Sequence, residues 1–319
     1  MVFSLFFRRF FWPCAIVVGL ALVGCRGLAA SVGAPETRWT MINVVPGNGQ
    51  ADCHLIEFPD GRKVLVDIAD GIDAGDVAVA YLRAHGIARV DLVVITHFHK
   101  DHYRRLIDLI KSGVQIDRVA VNMPAREDKL ADTEKPWGFD RPDAEAVLQF
   151  LVEKHIPYFT PKIGEHLLDV TLAGGGSAAL EVVCFYDGFN TPIGATSVND
   201  TSMILRLRHG RTRALLAGDL TSTLGQWLAE SDFDLAADVL KVQHHGADWG
   251  SSTRFFERVN PKAVLVTAPK KLWDSERDKP IRDYFAGRKI PAYVSSIHGD
   301  VTVVMTTQGF TVQTEHEAQ

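Results

Sequence analysis

The segment "ITHFHKDHYRR", residues 95–105, places three histidines and an aspartate within six positions at the end of an apolar, β-branched run. The apolar run predicts a buried strand. Residues two apart on an extended chain share a face, so His97 and His99 should point the same way. The chain then turns into a predicted helix, which would bring Asp101 and His102 back toward the same point. Two imidazoles on one side and a carboxylate with an imidazole on the other can hold two cations; the alternative is a chance cluster or a helix cap.

Two later segments carry the same kinds of side chain at the ends of predicted strands. "LLAGDL" contains Gly218 and Asp219, and "VLKVQHHG" ends in His244, His245 and Gly246. Singly, a Gly-Asp pair is more often a turn, and a histidine pair is more often part of a solvated loop. All three motifs nevertheless follow strands, and active sites of α/β proteins gather at the carboxyl ends of strands. We therefore expect the aspartate of the second motif to bridge two ions.

The rest of the chain alternates predicted strands with predicted helices. The helix after the first motif, "HYRRLIDLIKSG", should end at Gly113, and "STLGQWLAE" and "STRFFERV" predict helices in the second half. This alternation in two similar halves indicates one α/β sandwich domain with helices outside the sheets, which we place at residues 37–319. The least regular segment, residues 124–142, is polar and flanked by prolines, and it is either a lid or a disordered insert.

The first 25 residues have the composition of an export signal. Two arginines precede an apolar run that is too short for a confident membrane span. The small residue before Cys25 resembles the lipobox of bacterial lipoproteins. By that resemblance Cys25 would carry the lipid, and residues 26–36 would form a tether. We expect a membrane-anchored lipoprotein facing the periplasm or the exterior; the alternatives are an ordinary signal cleaved near Ala29-Ala30 or an uncleaved anchor.

Charge and cysteine content restrict the choice of partner and compartment. The chain has 34 basic and 39 acidic residues, a net charge of −5, and loss of the two signal arginines would bring the mature protein to about −7. This balance argues against extended duplex DNA as a substrate. Of the cysteines, Cys53 and Cys184 would remain as unmodified thiols after processing. They lie in apolar, strand-like runs, which favours two buried, unpaired thiols over a disulfide.

These motifs together resemble those of metallo-β-lactamase-fold hydrolases, and most closely the soluble hydrolase domain of ComEC-type competence proteins. The similarity covers roughly residues 39–315. It is carried by "INVVPGNGQADCHLIEFPDGRKVLVDIADG", "GIARVDLVVITHFHKDH", "NDTSMILRLRHGRTRALLAGDL", "ADVLKVQHHG" and the closing "IHGDVTVVMTTQG". The resemblance implies an αββα four-layer sandwich that binds two divalent metal ions, either zinc or manganese.

The resemblance also implies a role for individual residues. Asp67 matches the family's buried aspartate that orients a histidine ligand. Of the histidine pair, we favour His245 as the ligand and His244 as a donor to the substrate. Asn199 would lie beside the reacting groups, and Asp101 would act in catalysis as well as in binding. The implied metal ligands are His97, His99, Asp101, His102, Asp219 and His245.

The sequence departs from the family pattern at several positions. Tyr103-Arg104-Arg105 replaces the glycines that often follow the first motif, so these bulky side chains could narrow the pocket or grip an anion, or else face solvent. Alanine replaces serine at position 247, and asparagine replaces aspartate at position 43. No clear third histidine serves the first metal position, since we expect His155 and His166 at the surface. Asn199, Asp200 or water could fill that corner.

Three functions are compatible with these residues. The first is a metal-dependent hydrolase that cleaves a small-molecule or nucleotide phosphodiester with metal-activated hydroxide. The second is a lactam or ester hydrolase, which the lack of a third histidine and of a cysteine at position 219 disfavours. The third is a non-catalytic lipoprotein that holds metal as a structural device. The sequence favours the first and leaves the other two open.

Overall fold

Two β-sheets lie at the centre of the protein and carry its functional loops. The computed structural model describes residues 35–44, 50–69, 77–125, 130, 139–187, 190–194, 197–247 and 252–317. Its strands, in chain order, are β1 Thr37–Met41, β2 Cys53–Glu57, β3 Lys63–Ile68, β4 Arg89–Val90, β5 Leu92–Ile95, β6 Gln115–Ile116, β7 Val119–Val121, β8 Tyr158–Phe159, β9 His166–Thr171, β10 Ser177–Cys184, β11 Ile204–His209, β12 Thr212–Leu216, β13 Val239–Lys241, β14 Ala263–Val266, β15 Ala292–Val294, β16 Val301–Thr306 and β17 Gly309–Thr314.

Helices connect many of these strands. They are α1 Val77–Ala84, α2 Lys100–Tyr103, α3 Leu106–Lys111, α4 Arg141–Glu153, α5 Ser222–Glu230, α6 Thr253–Val259, α7 Lys270–Trp273, α8 Lys279–Gly287 and α9 Ser295–His298. Two further turns are 3₁₀ helices, at Val198–Thr201 and Gln243–Gly246. Within the described part of the chain, no helix has the length and apolar character required to cross a membrane.

Each sheet combines an antiparallel half with a parallel half. The first sheet has the order β17-β16-β1-β2-β3-β5-β7-β8, and its pairs from β3 to β8 are parallel. The second has the order β15-β14-β13-β12-β11-β10-β9, and its pairs from β12 to β15 are parallel. All four residues of β5 are buried, as expected of a parallel strand that is covered on both faces.

Three apolar cores separate the layers. Between the sheets, Trp39 and Val94 of the first pack with residues of the second such as Leu205. On the outer face of the first sheet, α1, α3 and α4 contribute buried leucines, Leu82, Leu109 and Leu151. On the outer face of the second sheet, α5, α6 and α8 contribute Leu224, Phe255 and Phe285. The order of layers is therefore helix, sheet, sheet, helix, which confirms the αββα sandwich expected from the sequence.

The helix predicted over residues 102–113 is divided into α2 and α3. At the break, the backbone N–H of Arg105 donates to the carbonyl of Ala69, 3.3 Å away, instead of continuing the helix. The two remaining cysteines are both buried free thiols, as predicted. Most of the irregular segment 124–142 lies outside the described residues, although Leu130 and Phe139 are buried in the core beside the first sheet.

The amino-terminal predictions concern residues that the structure does not describe. Residues 1–34, including Cys25 and most of the tether, lie outside the described ranges. Contacts within the chain group Ala34–Gln319 as one unit. The export signal, the lipid on Cys25 and the start of the domain at residue 37 stay predictions.

Candidate metal centre

The three sequence motifs meet at one edge of the sandwich. The loops that follow β5, β12 and β13 all leave their strands at this edge. They bring together one ligand atom from each of four side chains, and these atoms lie within 4.8 Å of one another: those of Asp101, His102, Asp219 and His245. Three of these residues are buried, and the side chain of Asp101 is 31% exposed. The group is therefore enclosed on the protein side and reaches solvent through one carboxylate.

Asp219 stands between two imidazole rings. Its Oδ2 lies 3.3 Å from Nε2 of His102 and 3.1 Å from Nε2 of His245. Asp101 completes the group, with Oδ2 3.5 Å from Nε2 of His245. Among the described residues, neither Nε2 atom has a hydrogen-bond partner, although both are buried. Buried nitrogens without hydrogen bonds, turned toward carboxylates, are the donor set that a divalent cation takes, so these residues fit a metal ion.

Both rings are held from behind, which leaves Nε2 available. His102 Nδ1 donates to Oδ2 of Asp67 at 2.7 Å. Asp67 also accepts from the backbone N–H and the hydroxyl of Thr96, each at 2.8 Å. His245 Nδ1 contacts the hydroxyl of Thr267 at 2.9 Å. Such outer hydrogen bonds select the tautomer and orientation that a metal-binding histidine needs. Asp67 is itself fully buried and holds the His102 ring through this hydrogen bond.

His97 and His99 form a second, smaller group beside the first. Nε2 of His97 lies 3.3 Å from Nδ1 of His99, and the ring of His97 is 4.1 Å from that of His102 between centroids. Nδ1 of His97 is 3.2 Å from the hydroxyl oxygens of both Thr96 and Ser202. The two motif histidines therefore point the same way, as the strand geometry predicts, but two nitrogens alone make an incomplete metal site.

The residues considered as a third ligand for this smaller group differ in their surroundings. His155 and His166 are exposed, as expected. The carboxylate of Asp200 accepts from the backbone N–H of Thr221 at 2.8 Å, at the start of α5. Asn199 is 4% exposed, and its Oδ1 has no hydrogen-bond partner among the described residues. The amide oxygen of Asn199 is therefore not engaged in a hydrogen bond with the described residues, whereas the Asp200 carboxylate is engaged at α5.

Burial disfavours charge on His97, His102, His244 and His245, but carboxylates reverse its effect on the pKa of two of them. Burial would lower the pKa of His102 and His245, yet the neighbouring Asp219 carboxylate raises it, well above the usual value for His102 and to about 9 for His245. At His97 and His244 burial prevails, and the pKa of His244 falls to about 4. Burial would raise the pKa of Asp219, but His245 and His102 hold it well below its usual value.

Unusual backbone conformations occur in the same loops. His244, His245 and Asp67 have φ angles of 49°, 55° and 58°, in the left-handed region that costs most residues about 1–3 kcal/mol. Gly218 also has a positive φ of 52°, and a Cβ atom there would lie 2.6 Å from Cβ of Ser202. Because Gly218 has no side chain, the end of β12 can approach Ser202. The hydroxyl of Ser202 accepts a hydrogen bond from the backbone N–H of Asp219 at 2.9 Å.

Asp52 and Lys241 belong to the site, although the sequence analysis assigned neither of them a role. Both are 1% exposed, and their side chains form an ion pair directly behind Asp219. Lys241 Nζ also lies 3.2 Å from Oδ1 of Asp219. The available sequence signal was a lysine in the otherwise apolar strand "DVLKV". Val239, two residues earlier on that strand, faces the core between the sheets, so the lysine shares that buried face.

The residues that replace the family's glycines have different surroundings. Tyr103 is fully buried in the core beside the first sheet, and its hydroxyl donates to Asp143 in the first turn of α4 at 2.9 Å. Arg105 forms an ion pair with Asp108 at 2.7 Å, and Arg104 is exposed. Tyr103 therefore links the motif at residues 97–102 to α4 through a hydrogen bond.

Comparisons with known proteins agree with this architecture. No family model matches the sequence. ComE operon protein 3 of Bacillus subtilis (strain 168) is 26% identical over 239 residues, which cover 70% of this chain but only 27% of that protein. The metallo-β-lactamase fold protein YhfI from Bacillus subtilis superposes with a TM-score of 0.50 at 12% identity, covering 85% of this chain and 100% of that chain.

A second solved structure has a similarly low sequence identity to this chain. Tm1679, described as a metal-dependent hydrolase of the β-lactamase superfamily, has a TM-score of 0.47 and 14% identity over 89% of this chain and 100% of that chain. Structural likeness at such identities concerns the fold alone. The layer order and the likeness to YhfI show that this chain has the metallo-β-lactamase fold, and its sequence is similar to part of ComE operon protein 3.

Proposed function

We propose that this protein is a metal-dependent hydrolase that cleaves phosphodiester bonds in a small-molecule or nucleotide substrate. One observation carries the proposal: two buried imidazole nitrogens without hydrogen-bond partners flank a single carboxylate oxygen of Asp219. Buried polar atoms without hydrogen-bond partners cost free energy. A bound divalent cation would satisfy all of these atoms.

The ligand chemistry favours zinc or manganese. Imidazole nitrogens suit zinc, and a mixture with carboxylates extends the choice to manganese. We propose one ion in the four-residue group and a second beside His97 and His99, with Asp219 shared between them. Divalent ions held in this way lower the pKa of water toward neutrality and polarise phosphoryl oxygens.

Other residues have assignable roles around the reacting bond. His244 has a pKa of about 4, so it is neutral at neutral pH and carries one N–H that can donate to a phosphoryl oxygen. Asp101 is the partly exposed member of the four-residue group, so it is placed to meet both water and substrate. Asn199 has a buried amide oxygen that can accept from a positioned water.

We favour a phosphodiester bond over a lactam bond because of Asp219 and because His97 and His99 lack a third histidine among the described residues. A carboxylate stands at position 219, and no described histidine completes the smaller group. Both features argue against a lactam-cleaving site that uses three histidines on one ion. The acidic net charge of −5 disfavours extended duplex DNA. Small phosphodiesters and nucleotides are therefore the substrates to test first.

The test combines metal analysis with a substrate panel. Purified full-length protein is analysed for bound zinc and manganese, then assayed on bis-nitrophenyl phosphate, on dinucleotides and on a chromogenic lactam. We expect at least one equivalent of metal, and a fall in phosphodiesterase activity of about 10²–10³-fold in Asp219→Ala, the loss of a few kcal/mol of transition-state stabilisation. His166→Ala, which removes an exposed histidine, is the matched control and should retain activity.

Three results would contradict the proposal in different ways. Less than one equivalent of metal, or equal activity in wild type and Asp219→Ala, would exclude the metal-dependent mechanism. Turnover of the lactam alone would establish the amide-hydrolase alternative. Stoichiometric metal without turnover of any substrate would support the non-catalytic alternative.

A further inference from the structure

A group of three buried polar residues lies directly behind the candidate metal centre. Asp52 and Lys241 are 1% exposed, and Thr267 is fully buried. They come from the segment before β2, from the end of β13 and from the residue after β14. None of them belongs to the four-residue group, yet together they contact several of its side chains. We refer to these three residues as the support group.

Lys241 determines which oxygen of Asp219 is available. Its ammonium group lies 3.2 Å from Oδ1 of Asp219 and 3.1 Å from the carbonyl oxygen of Gly218, and it forms an ion pair with Asp52. An ammonium group has three N–H donors, and these three acceptors occupy all of them. Oδ1 of Asp219 is thereby taken up, and Oδ2 is left as the oxygen that faces the two imidazoles.

Asp52 and Thr267 determine the state of His245. The Thr267 hydroxyl donates to Oδ1 of Asp52, so its single hydrogen is used in that bond. Its oxygen can then only accept from Nδ1–H of His245, at 2.9 Å. In the neutral ring this chain of hydrogen bonds keeps the proton on Nδ1, so Nε2, which faces Asp219, is the nitrogen that gives up its proton to a metal ion. The backbone N–H of Asp52 also donates to the carbonyl of Asp101 at 3.3 Å.

Stability alone does not account for such a group. Removing an ammonium and a carboxylate from water costs about as much as their attraction returns, and apolar residues of similar volume can often replace a buried ion pair. The contacts of the support group are, however, directed at three of the four candidate ligands. Its position is explained by what it does to those ligands.

We propose that Asp52, Lys241 and Thr267 are positioning residues that prepare the centre for metal. They make Asp219 bind through Oδ2 alone and make His245 bind through Nε2. The inference rests on the proposed metal centre, but it concerns binding geometry and does not depend on which bond is cleaved.

Thr267→Val is the first test, because valine keeps the shape and removes the hydroxyl. We expect the dissociation constant for Zn²⁺, measured by chelator competition, to rise about 10–100-fold, the usual cost of losing such an outer partner. The visible spectrum of Co²⁺-loaded protein should change as well, because the orientation of His245 is released. Thr37→Val is the matched control: Thr37 is also fully buried and also hydrogen-bonds a histidine, His209, at 2.8 Å.

The second test removes the ion pair. Lys241→Met alone leaves two carboxylates unpaired in the interior and is at risk of not folding. The double variant Asp52→Asn/Lys241→Met removes the Asp52 charge together with the ammonium group, so it does not leave two unpaired carboxylates. Circular dichroism and thermal unfolding verify its fold. We expect it to bind Co²⁺ at least tenfold more weakly, because the Asp219 carboxylate is no longer held in one orientation. The spectrum should also change, because Oδ1 of Asp219 becomes available as a second ligand atom.

The outcomes separate this inference from the proposed function. Dissociation constants within threefold of wild type and unchanged Co²⁺ spectra in both Thr267→Val and the folded double variant would overturn it, as would weakening in Thr37→Val equal to that in Thr267→Val. A wild-type protein that binds no Zn²⁺ or Co²⁺ would overturn it too. If wild type binds metal but hydrolyses nothing, the proposed function fails, and the binding measurements still decide this inference.

Discussion

His102 and His245 combine burial with a raised pKa, because both rings lie beside the Asp219 carboxylate. Burial opposes a charge on each ring, but the attraction of the carboxylates is larger, and the pKa of His245 reaches about 9. Each proton is therefore bound where a cation would bind. Metal binding at this centre must release protons at neutral pH, because a protonated nitrogen cannot be a ligand.

The first prediction at the residue scale is that metal affinity depends on pH. Below about pH 9 the ion must displace the proton on His245, so the apparent affinity should rise about tenfold per pH unit for each proton released, and level off above pH 9. Calorimetric titration with Zn²⁺ in buffers of different ionisation enthalpy measures both the affinity and the proton count. A constant affinity from pH 6.5 to 9 would show that His245 is not displaced.

The same pKa shift affects the stability of the metal-free protein. The folded protein holds the His245 proton more tightly than the unfolded chain, whose histidine has a pKa of 6.5. The resulting stabilisation is complete below pH 6.5 and is lost as the pH rises to about 9. Thermal unfolding in excess chelator should therefore give a lower Tm at pH 9 than at pH 6.5. A Tm that increases over this range would contradict the assigned shift.

At the scale of secondary structure, the site depends on close contacts where elements end. The end of β12 approaches Ser202 through Gly218, which has a positive φ and no room for a Cβ atom. The motif that follows β5 is fastened to α4 by Tyr103, whose hydroxyl donates to Asp143. We expect different consequences when these contacts are lost. The Gly218 contact lies next to the candidate ligand Asp219, whereas the Tyr103 contact holds only the helix α2.

Gly218→Ala should disturb both stability and metal binding. The added methyl group would lie 2.6 Å from Cβ of Ser202, which contacts His97 and the backbone of Asp219. We expect a loss of about 1–3 kcal/mol in the free energy of unfolding, measured in urea, together with weaker metal binding. Gly287→Ala, at the end of α8 with no atom within 4 Å of the added methyl group, is the matched control and should be neutral or slightly stabilising.

Tyr103→Phe should reduce stability and leave the metal centre intact. The variant keeps the buried ring but deprives Asp143 of a hydrogen bond, which should cost about 1 kcal/mol in the free energy of unfolding. The Zn²⁺ dissociation constant should stay within threefold of wild type. Tyr158→Phe, at a tyrosine that is 41% exposed, is the control and should change neither quantity. A large loss of metal affinity in Tyr103→Phe would mean that the tyrosine acts on the ligands themselves.

At the scale of the whole molecule, the two sheets bring the ligands together. The first sheet supplies the motif after β5 together with Asp67 in β3, and the second supplies Asp219, His245 and the support group residue Lys241. The centre therefore forms only when the sheets pack on each other. Metal should accordingly bind the folded protein alone, and the Tm should rise with the logarithm of the free metal concentration once this exceeds the dissociation constant.

Export and lipid attachment also belong to this scale, and they stay proposals. If Cys25 carries a lipid, wild-type protein should sediment with membranes and incorporate labelled fatty acid, whereas Cys25→Ala should do neither. Membrane association of Cys25→Ala without label would instead indicate an uncleaved anchor. A mature protein that begins just after Ala29-Ala30 would indicate an ordinary signal.

The order of layers and the convergence of the three motifs could be predicted from sequence. Alternating apolar residues define strands locally, and side chains that directly follow parallel strands are carried to the same edge of the sandwich. His97 and His99 needed only the two-residue period of a strand. The paired strands β9 and β10, in contrast, lie in a stretch without any chemical motif, where only the apolar run around Cys184 indicates a strand.

The identity and spacing of His97, His99, Asp101 and His102 follow from the amino-acid sequence, because these residues lie within six consecutive positions and local geometry relates them. That Asp52 and Thr267, 215 residues apart in the chain, share a hydrogen bond behind His245 follows from the packing of the folded chain. A single polar residue in an apolar strand does not reveal its partner. Packing of the two sheets, driven by the burial of apolar area and not by these groups, brings the partners into contact.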